Sequence, residues 1–372
     1  MRITSPEWRV AAAVALGLLP LAPAARTQAA PTEPVALIES VASMKLRFGG
    51  KSTTASRIES KLQDGVRAAL NGWAPTAERL NMEVAVPEHA PVLVLGAAGD
   101  DLLEHAAEVA DATWALLKPV LTAEGVELAP VVVMALFDRD GHRSDAWPAL
   151  LDELVARQFL DAGIVSPIRL DKPSLVLRKS SFFLQTTYDA AGNAAAGDDE
   201  FRLENEIAHK TATLLLESAF GRQPEGIRWG LGYLAEQRLF GTSYQFDVTG
   251  FVAASDHFDW PVHARDWLAD RARDEEFSLA EAVLEVERPG GANDGQRCAW
   301  IVLDHLLLEQ PQGFAALLDA LGALDRKADP TGFQHTWAGS SRVARQVLDE
   351  RLANVSVDVL AKWAGRLKPI KR

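Results

Sequence analysis

Cysteine is almost absent from this sequence, which has one cysteine, Cys298, among 372 residues. A single cysteine excludes an intrachain disulfide, and no cysteine follows the apolar N-terminal run to carry a lipid. Cys298 lies in the helical pattern QRCAWIVLDHLLLE, where a small buried thiol is expected rather than a nucleophile. The stability of the fold must therefore come from its hydrophobic core.

Positive charge is also scarce relative to negative charge. The chain has 38 Lys and Arg against 51 Asp and Glu, for a formal net charge of -13. Nucleic acids and anionic membranes select for clustered Lys and Arg, and the short basic tail KPIKR is too small to supply such a surface. We therefore expect no nucleic-acid partner. The hydrophobic fraction of 48% is that of an ordinary globular protein.

The first thirty residues have the pattern of an export signal. Arg2 and Arg9 precede the apolar run VAAAVALGLLPLAPAA, and the triplet QAA that ends at Ala30 offers a cleavage point. The run is short for a membrane span, and two prolines interrupt it, although a single-span anchor is the alternative. The pattern predicts a signal peptide at 1–30, no stable membrane span after its cleavage, and a periplasmic or extracellular protein.

Hydrophobic periodicity predicts an α+β fold, in which a small N-terminal α/β module precedes a mostly helical domain. The apolar runs APVLVLGA and VVVMALF read as buried strands, and the segment from Asp101 to Leu121 between them has apolar residues at helical spacing. Helical patterns near Ile38–Lys45 and Ala55–Leu70 precede this module. From Asp199 onward nearly every periodic segment is helical.

These patterns divide the chain into successive regions. We expect a mostly helical region at 31–90, the strand–helix–strand module at 91–198, a helical domain at 199–352, and a C-terminal helix with a basic tail at 353–372.

One helical segment carries the string NEIAH, which is close to the HExxH motif of zinc peptidases. In that motif two histidines four residues apart present both ligands on one helical face, and the Glu beside the first acts on the metal-bound water. Here Asn205 stands at the position of the first His, while Glu206 and His209 are in place. Taken alone, the string also arises by chance in amphipathic helices.

The next segment, PEGIRWGLGYLAEQ, strengthens this interpretation. It resembles the segment of the peptidase MA-like, gluzincin-type zinc metallopeptidases in which the Glu of an E-G-L-A string is the third zinc ligand. Pro224, Gly230 and Leu231 fit that pattern, whereas Trp229 occupies the position of the ligand Glu and Tyr233 falls one place short of the usual Tyr. The resemblance covers about Pro91 to Leu352 and implies a zincin-like catalytic-type domain at 199–352, followed by C-terminal helices.

The same resemblance implies that the zinc site is degenerate. Carried over residue by residue, His209 is a vestigial metal ligand and Glu206 a vestigial general base, whereas Asn205 and Trp229 replace the other two ligands. An amide is a weak donor for zinc, and Trp cannot ligate a metal. We therefore expect no cofactor, with zinc bound only if an unusual ligand set compensates.

The substitutions also suggest a structural hypothesis. We expect the indole of Trp229 to fill the former metal position, with its N–H donating to an acceptor such as Glu206. Glu236 lies two turns beyond Trp229, about 10 Å along the helix, and is therefore not expected to reach the site. Asn205, Trp229 and Tyr233 would line the remaining cleft.

Three functions remain open from the sequence. The first is an exported, catalytically inactive pseudopeptidase whose cleft binds a peptide or protein or serves as scaffold. The second is an active zinc metallopeptidase with a non-standard ligand set, and the third is an exported helical structural or binding protein unrelated to peptidases. If the helices that carry His209 and Trp229 do not face each other, the family interpretation fails.

Overall fold

The structure is a computed structural model in which residues Val35–Arg372 form one compact unit. It describes residues 35–97, 100–126, 131–137, 145–160, 174–177, 182–186, 203–241, 243, 260–284, 294–330 and 337–367. The predicted signal peptide and the basic tail KPIKR lie outside the described residues.

The described part of the N-terminal half is centred on a mixed sheet, of which seven strands are described. The strand order is β2-β1-β3-β4-β5-β7-β6. The pairs β1–β3, β4–β5 and β5–β7 are parallel, and the pairs β1–β2, β3–β4 and β6–β7 are antiparallel. The strands are β1 (Lys45–Phe48), β2 (Lys51–Thr54), β3 (Glu83–Val86), β4 (Val92–Ala97), β5 (Val132–Phe137), β6 (Ser174–Leu177) and β7 (Phe182–Thr186).

The predicted strand–helix–strand module is confirmed. Strand β4 pairs in parallel with β5 over six residues, and the helix Asp100–Leu121 connects them. Parallel neighbours need a long crossover of this kind, and both strands are apolar because the two faces of the sheet are covered.

The sheet separates two cores. Alternate residues of a strand point to opposite faces, so that Val92 and Val94 enter one core while Leu93 and Leu95 enter the other. The first core contains the long crossover helix and the C-terminal helices, and the second contains the remaining N-terminal helices. Among the described residues, the α-helices of the N-terminal half are α1 (Glu39–Ala42), α2 (Ala55–Ile58), α3 (Asp64–Arg79), α4 (Asp100–Leu121) and α5 (Ala146–Ala156).

The region at 31–90, which was predicted to be mostly helical, also supplies β1, β2 and β3. Strands β1 and β2 are only four residues long and partly exposed, so their sequences show little alternation. The turn between them is formed by Gly49 and Gly50, both with positive φ, which glycine adopts without strain. Because β3 pairs with β4, the strands before and after residue 90 belong to one sheet.

In the C-terminal half, the regular elements that the structure describes are helices, as predicted, and the protein is an α+β protein. Within the described residues no helix is both long enough and apolar enough to cross a membrane. The helices that the structure describes in this half are α6 (Leu203–Phe220), α7 (Glu225–Phe240), α8 (Trp260–Arg271), α9 (Leu279–Leu284), α10 (Asp294–Glu309), α11 (Pro311–Ala328), α12 (Ser341–Arg351) and α13 (Val357–Ala364).

A buried ion cluster fixes the short connection between α6 and α7. Arg222 donates from Nε to Asp325 at 2.9 Å and from Nη2 to Asp329 at 2.7 Å, and all three side chains are buried. Two carboxylates on the end of α11 thus share one guanidinium. Removing the guanidinium would take this positive charge away from two buried carboxylates.

We therefore expect Arg222→Met to lower the free energy of unfolding by about 3–5 kcal/mol, the usual cost of breaking a buried ion pair from one side. Arg273 provides the matched control, because its partner Asp270 and its own side chain are both 82% exposed. Urea denaturation should show little change for Arg273→Met. Equal effects of the two substitutions would show that burial of the Arg222 cluster contributes nothing.

Candidate functional site

The two helices that carry the candidate residues pack directly against each other. Helix α6 ends at Phe220, and Gly221, with a φ of 91°, allows the chain to leave it in the left-handed region. Only four residues separate the two helices, so α6 and α7 are neighbours in the fold. The rings of His209 and Trp229 meet edge to face, with centroids 5.4 Å apart. The prediction that these helices face each other is confirmed.

The centre of the site is the carboxylate of Glu236. Its Oε1 lies 2.7 Å from Nδ1 of His209, and its Oε2 accepts a hydrogen bond from Nδ2 of Asn205 at 3.1 Å. The Glu236 side chain is fully buried. Asn205 and His209 are four residues apart on one helical face, which is the spacing of the two histidines in the zinc motif. One carboxylate therefore bridges the two side chains at the motif's ligand positions.

This geometry corrects the expectation for Trp229. The indole does lie against His209, but its Nε1 donates to Glu225 at 3.5 Å rather than to Glu206. The Lys210 ammonium lies 5.9 Å from the centroid of the indole ring. Trp229 therefore covers one side of His209, and Glu236 rather than Trp229 is the hydrogen-bond partner of Asn205 and His209.

The prediction that Glu236 could not reach the site was also wrong, because the imidazole of His209 lies midway along α7 between Trp229 and Glu236. His209 packs over Gly232, one helical turn from both Trp229 and Glu236. A Cβ atom built on Gly232 would lie 2.2–2.3 Å from Cε1, Nδ1 and Nε2 of His209. No side chain fits there, so the glycine is what lets the imidazole reach the surface of α7.

Complete burial lowers the pKa of His209 well below its ordinary value, and the positive charges of Lys210 and Arg228 act in the same direction. The imidazole is therefore neutral at pH 7. In the tautomer that satisfies Glu236, its Nδ1–H donates to the carboxylate and Nε2 is the unprotonated nitrogen.

A second polar link joins the same two helices. Glu217 on α6 forms an ion pair with Arg228 on α7, with 2.9 Å between Oε1 and Nε, and it accepts a 3.3 Å hydrogen bond from the backbone N–H of Gln223. The carboxylate of Glu217 is 4% exposed. The helix pair is thus held by two buried carboxylates, Glu217 and Glu236.

Aromatic side chains fill the space beside His209. Tyr233 contacts the imidazole at 5.4 Å between centroids and Trp260 at 4.8 Å, and Trp260 contacts Trp300 at 5.8 Å. Asn205 and Tyr233 are fully buried, so these two predicted cleft residues do not line an open cleft. A cavity of about 20 Å³ remains beside His209, Thr213 and Trp229. This volume holds about one water molecule.

The residues of the site do not fit a catalytic zinc ion. Such an ion needs three protein ligands and an open fourth position. His209 and Glu236 are suitable donors, but Asn205 adds only a neutral amide, and the Glu236 carboxylate is already engaged by both neighbours. Among the residues that the structure describes, no three His, Cys, Asp or Glu side chains form a group able to hold a metal.

Glu206, the predicted vestigial base, is on α6 and is 3% exposed. It follows Asn205 in the chain, and its side chain is buried.

No protein-family model matches this chain, and no curated protein matches its sequence. The resemblance to gluzincin-type peptidases therefore depends on its own residues and their geometry.

Sequence reasoning underestimated two residues, Gly232 and Glu236. Glu236 follows Trp229 by seven residues, which places both on one face of α7. An acidic residue on an otherwise apolar helical face indicates a buried charge that needs partners. That signal could have selected Glu236 before the structure was known.

We expect Gly232→Ala to destabilise the protein, because the added methyl group overlaps the imidazole of His209. Overpacking of this kind costs about 1–3 kcal/mol. The clash should disappear when His209 is also replaced by Ala, so the double variant should lose less stability than the sum of the two single variants. Thermal denaturation of the four proteins measures this coupling.

Gly72 is the control for backbone effects, since it lies within helix α3 and a Cβ there would have nothing within 4 Å. Gly72→Ala should raise the stability by about 0.5–1 kcal/mol. Strictly additive effects of the Gly232 and His209 substitutions would contradict the close contact.

The buried neutral imidazole also predicts a pH dependence. Below pH of about 6.5 the unfolded chain takes up a proton on His209 that the folded protein does not. The free energy of unfolding should therefore fall as the pH is lowered from 7 to 5, by at most about 1.4 kcal/mol per pH unit from this group. In His209→Asn the amide retains a donor for Glu236 but does not titrate. The contribution of residue 209 to the pH dependence of the free energy of unfolding should therefore be lost. Identical slopes for both proteins would contradict the assignment.

Proposed function

We propose that this protein is an exported, catalytically inactive pseudopeptidase with a gluzincin-type, peptidase MA-like fold. Its former metal site is a buried hydrogen-bonded cluster that serves as scaffold. The observation that carries the proposal is the bridge from Glu236 to Asn205 and His209. It places a carboxylate between the two side chains that would hold the ion in an intact motif.

The surrounding fold supports the family assignment. The strand–helix–strand module precedes the helix with the NEIAH string, and the helix with the second motif segment packs against it. The contact between Thr211 Oγ1 and Met134 Sδ, 3.4 Å apart, places α6 directly on strand β5. The motif residues are therefore on a helix that contacts both the sheet and a second helix, and the resemblance implies that the two motif helices face each other.

The enclosure of the site supports the loss of activity. A hydrolase must bring its substrate to the general base and to an activated water. Glu206, His209 and Glu236 are each less than 5% exposed, and the space beside His209 is that of about one water. The same enclosure favours a scaffold role over peptide or protein binding at this position.

The alternative of an active zinc metallopeptidase is favoured by one observation, the proximity of His209 to Glu236. In that case Asn205, His209 and Glu236 would form a non-standard ligand set. The remaining alternative is an exported helical protein unrelated to peptidases. It explains the fold equally well, but it does not explain why one carboxylate bridges Asn205 and His209, the two positions with the spacing of the zinc motif.

Zinc binding by the purified protein and by Asn205→His separates these functions. The wild-type protein should retain far less than one zinc per chain after zinc exposure and dialysis. In Asn205→His, two imidazoles and the Glu236 carboxylate would provide three donors, so we expect about one zinc per chain by elemental analysis.

Asn205→Gln, which adds no imidazole, is the matched control and should bind no zinc. The zinc held by Asn205→His should be lost in combination with His209→Ala. Stoichiometric zinc in the wild-type protein would support the active enzyme, and a folded Asn205→His variant without zinc would show that residue 205 is not at a ligand position.

A further inference from the structure

A much larger cavity lies away from the Glu236 cluster. It has a volume of about 730 Å³ and lies between the end of α8, the segment that follows it, α9 and the start of α12. None of Asn205, His209, Trp229 or Glu236 lines it. Its volume falls within the range of about 300–1,000 Å³ that is common for small-molecule sites.

One wall of this cavity is aromatic. Trp267 and Phe277 pack edge to face with centroids 5.5 Å apart, and both are partly exposed. The guanidinium of Arg271 lies 5.7 Å from the centroid of the Trp267 ring on the same wall. Leu284 adds a further apolar surface. This wall can receive one large apolar side chain of a ligand.

An ion pair joins two of the helices that line the cavity. Arg345 on α12 pairs with Glu281 on α9, and both residues line the cavity. Both side chains are about half exposed, so the pair contributes little to stability. The pair does leave Arg345 and Glu281 with their charges already matched.

The remaining charges have opposite signs. Arg271 pairs with Asp274, which leaves Arg342 and Glu276 as the lining charges with no ion pair among the described residues. Both side chains are exposed. A ligand that complements this cavity therefore carries one negative group, one positive group and a large apolar group.

From this arrangement we infer that the cavity binds short zwitterionic peptides with a large apolar C-terminal residue. Arg342 receives the terminal carboxylate, the aromatic wall receives the adjacent side chain, and Glu276 receives the terminal amine. The inference goes beyond the pseudopeptidase proposal, because it involves a different site and does not depend on whether residue 205 replaced a metal ligand.

The test uses isothermal titration calorimetry of the purified protein with Gly-Gly-Phe, and with the same peptide acetylated at its N-terminus and amidated at its C-terminus. We expect one saturable site per chain for Gly-Gly-Phe and a loss of affinity of about tenfold or more for the blocked peptide, since charge-assisted hydrogen bonds are lost. Arg342→Ala should weaken Gly-Gly-Phe by a similar factor but leave the blocked peptide unchanged. Glu276→Gln should likewise weaken the binding of peptides with a free amine and leave the binding of the blocked peptide unchanged.

Arg351→Ala is the matched control, because Arg351 is an exposed arginine at the other end of α12 and does not line the cavity. It should not change the affinity for Gly-Gly-Phe. The inference is overturned if Arg342→Ala and Arg351→Ala have equal effects, if the free and blocked peptides bind equally well, or if none of Gly-Gly-Phe, Gly-Gly-Leu and Gly-Gly-Trp binds. None of these outcomes would affect the zinc experiment.

Discussion

Burying the carboxylate of Glu236 is the constraint on which the candidate site depends. A carboxylate without access to water is strongly unfavourable unless hydrogen-bond donors or opposite charges surround it. Glu236 meets this requirement with Asn205 and His209, one for each oxygen. The imidazole reaches the carboxylate only because residue 232 has no side chain. The packing of α6 against α7 follows from this requirement, whereas the neutral state of His209 follows from the burial of its own ring.

The same principle recurs elsewhere in the helical half. Arg222 joins the α6–α7 connection to α11, and Asp304 on α10 accepts hydrogen bonds from Arg238 on α7 and Trp363 on α13. These links each join different helices through a largely buried carboxylate. In a chain that cannot form an intrachain disulfide, such links add directional contacts to an otherwise apolar core. Under the proposed function, Asn205 stands at a former ligand position, and the hydrogen-bonded carboxylate of Glu236 connects α6 and α7 there.

The sequence predicted the parts of the structure that have a strong local signal. The apolar runs became β4 and β5, and the helical periodicity between them became α4. The motif spacing correctly predicted that the helices carrying His209 and Trp229 face each other. Strands β1 and β2 were missed because they are short and partly exposed, so pairing rather than local pattern determines them. The bridging role of Glu236 was missed because rise along one helix does not show where a neighbouring helix crosses it. Only the position of His209 over Gly232 brings the carboxylate within reach.

The most direct test of the central claim is a crystal structure of the wild-type protein grown with zinc, with anomalous diffraction recorded at the zinc edge. The account predicts that both oxygens of Glu236 remain within hydrogen-bonding distance of Asn205 and His209, with no anomalous peak between them. A zinc ion coordinated by His209 and Glu236 would contradict it and would support the metallopeptidase alternative.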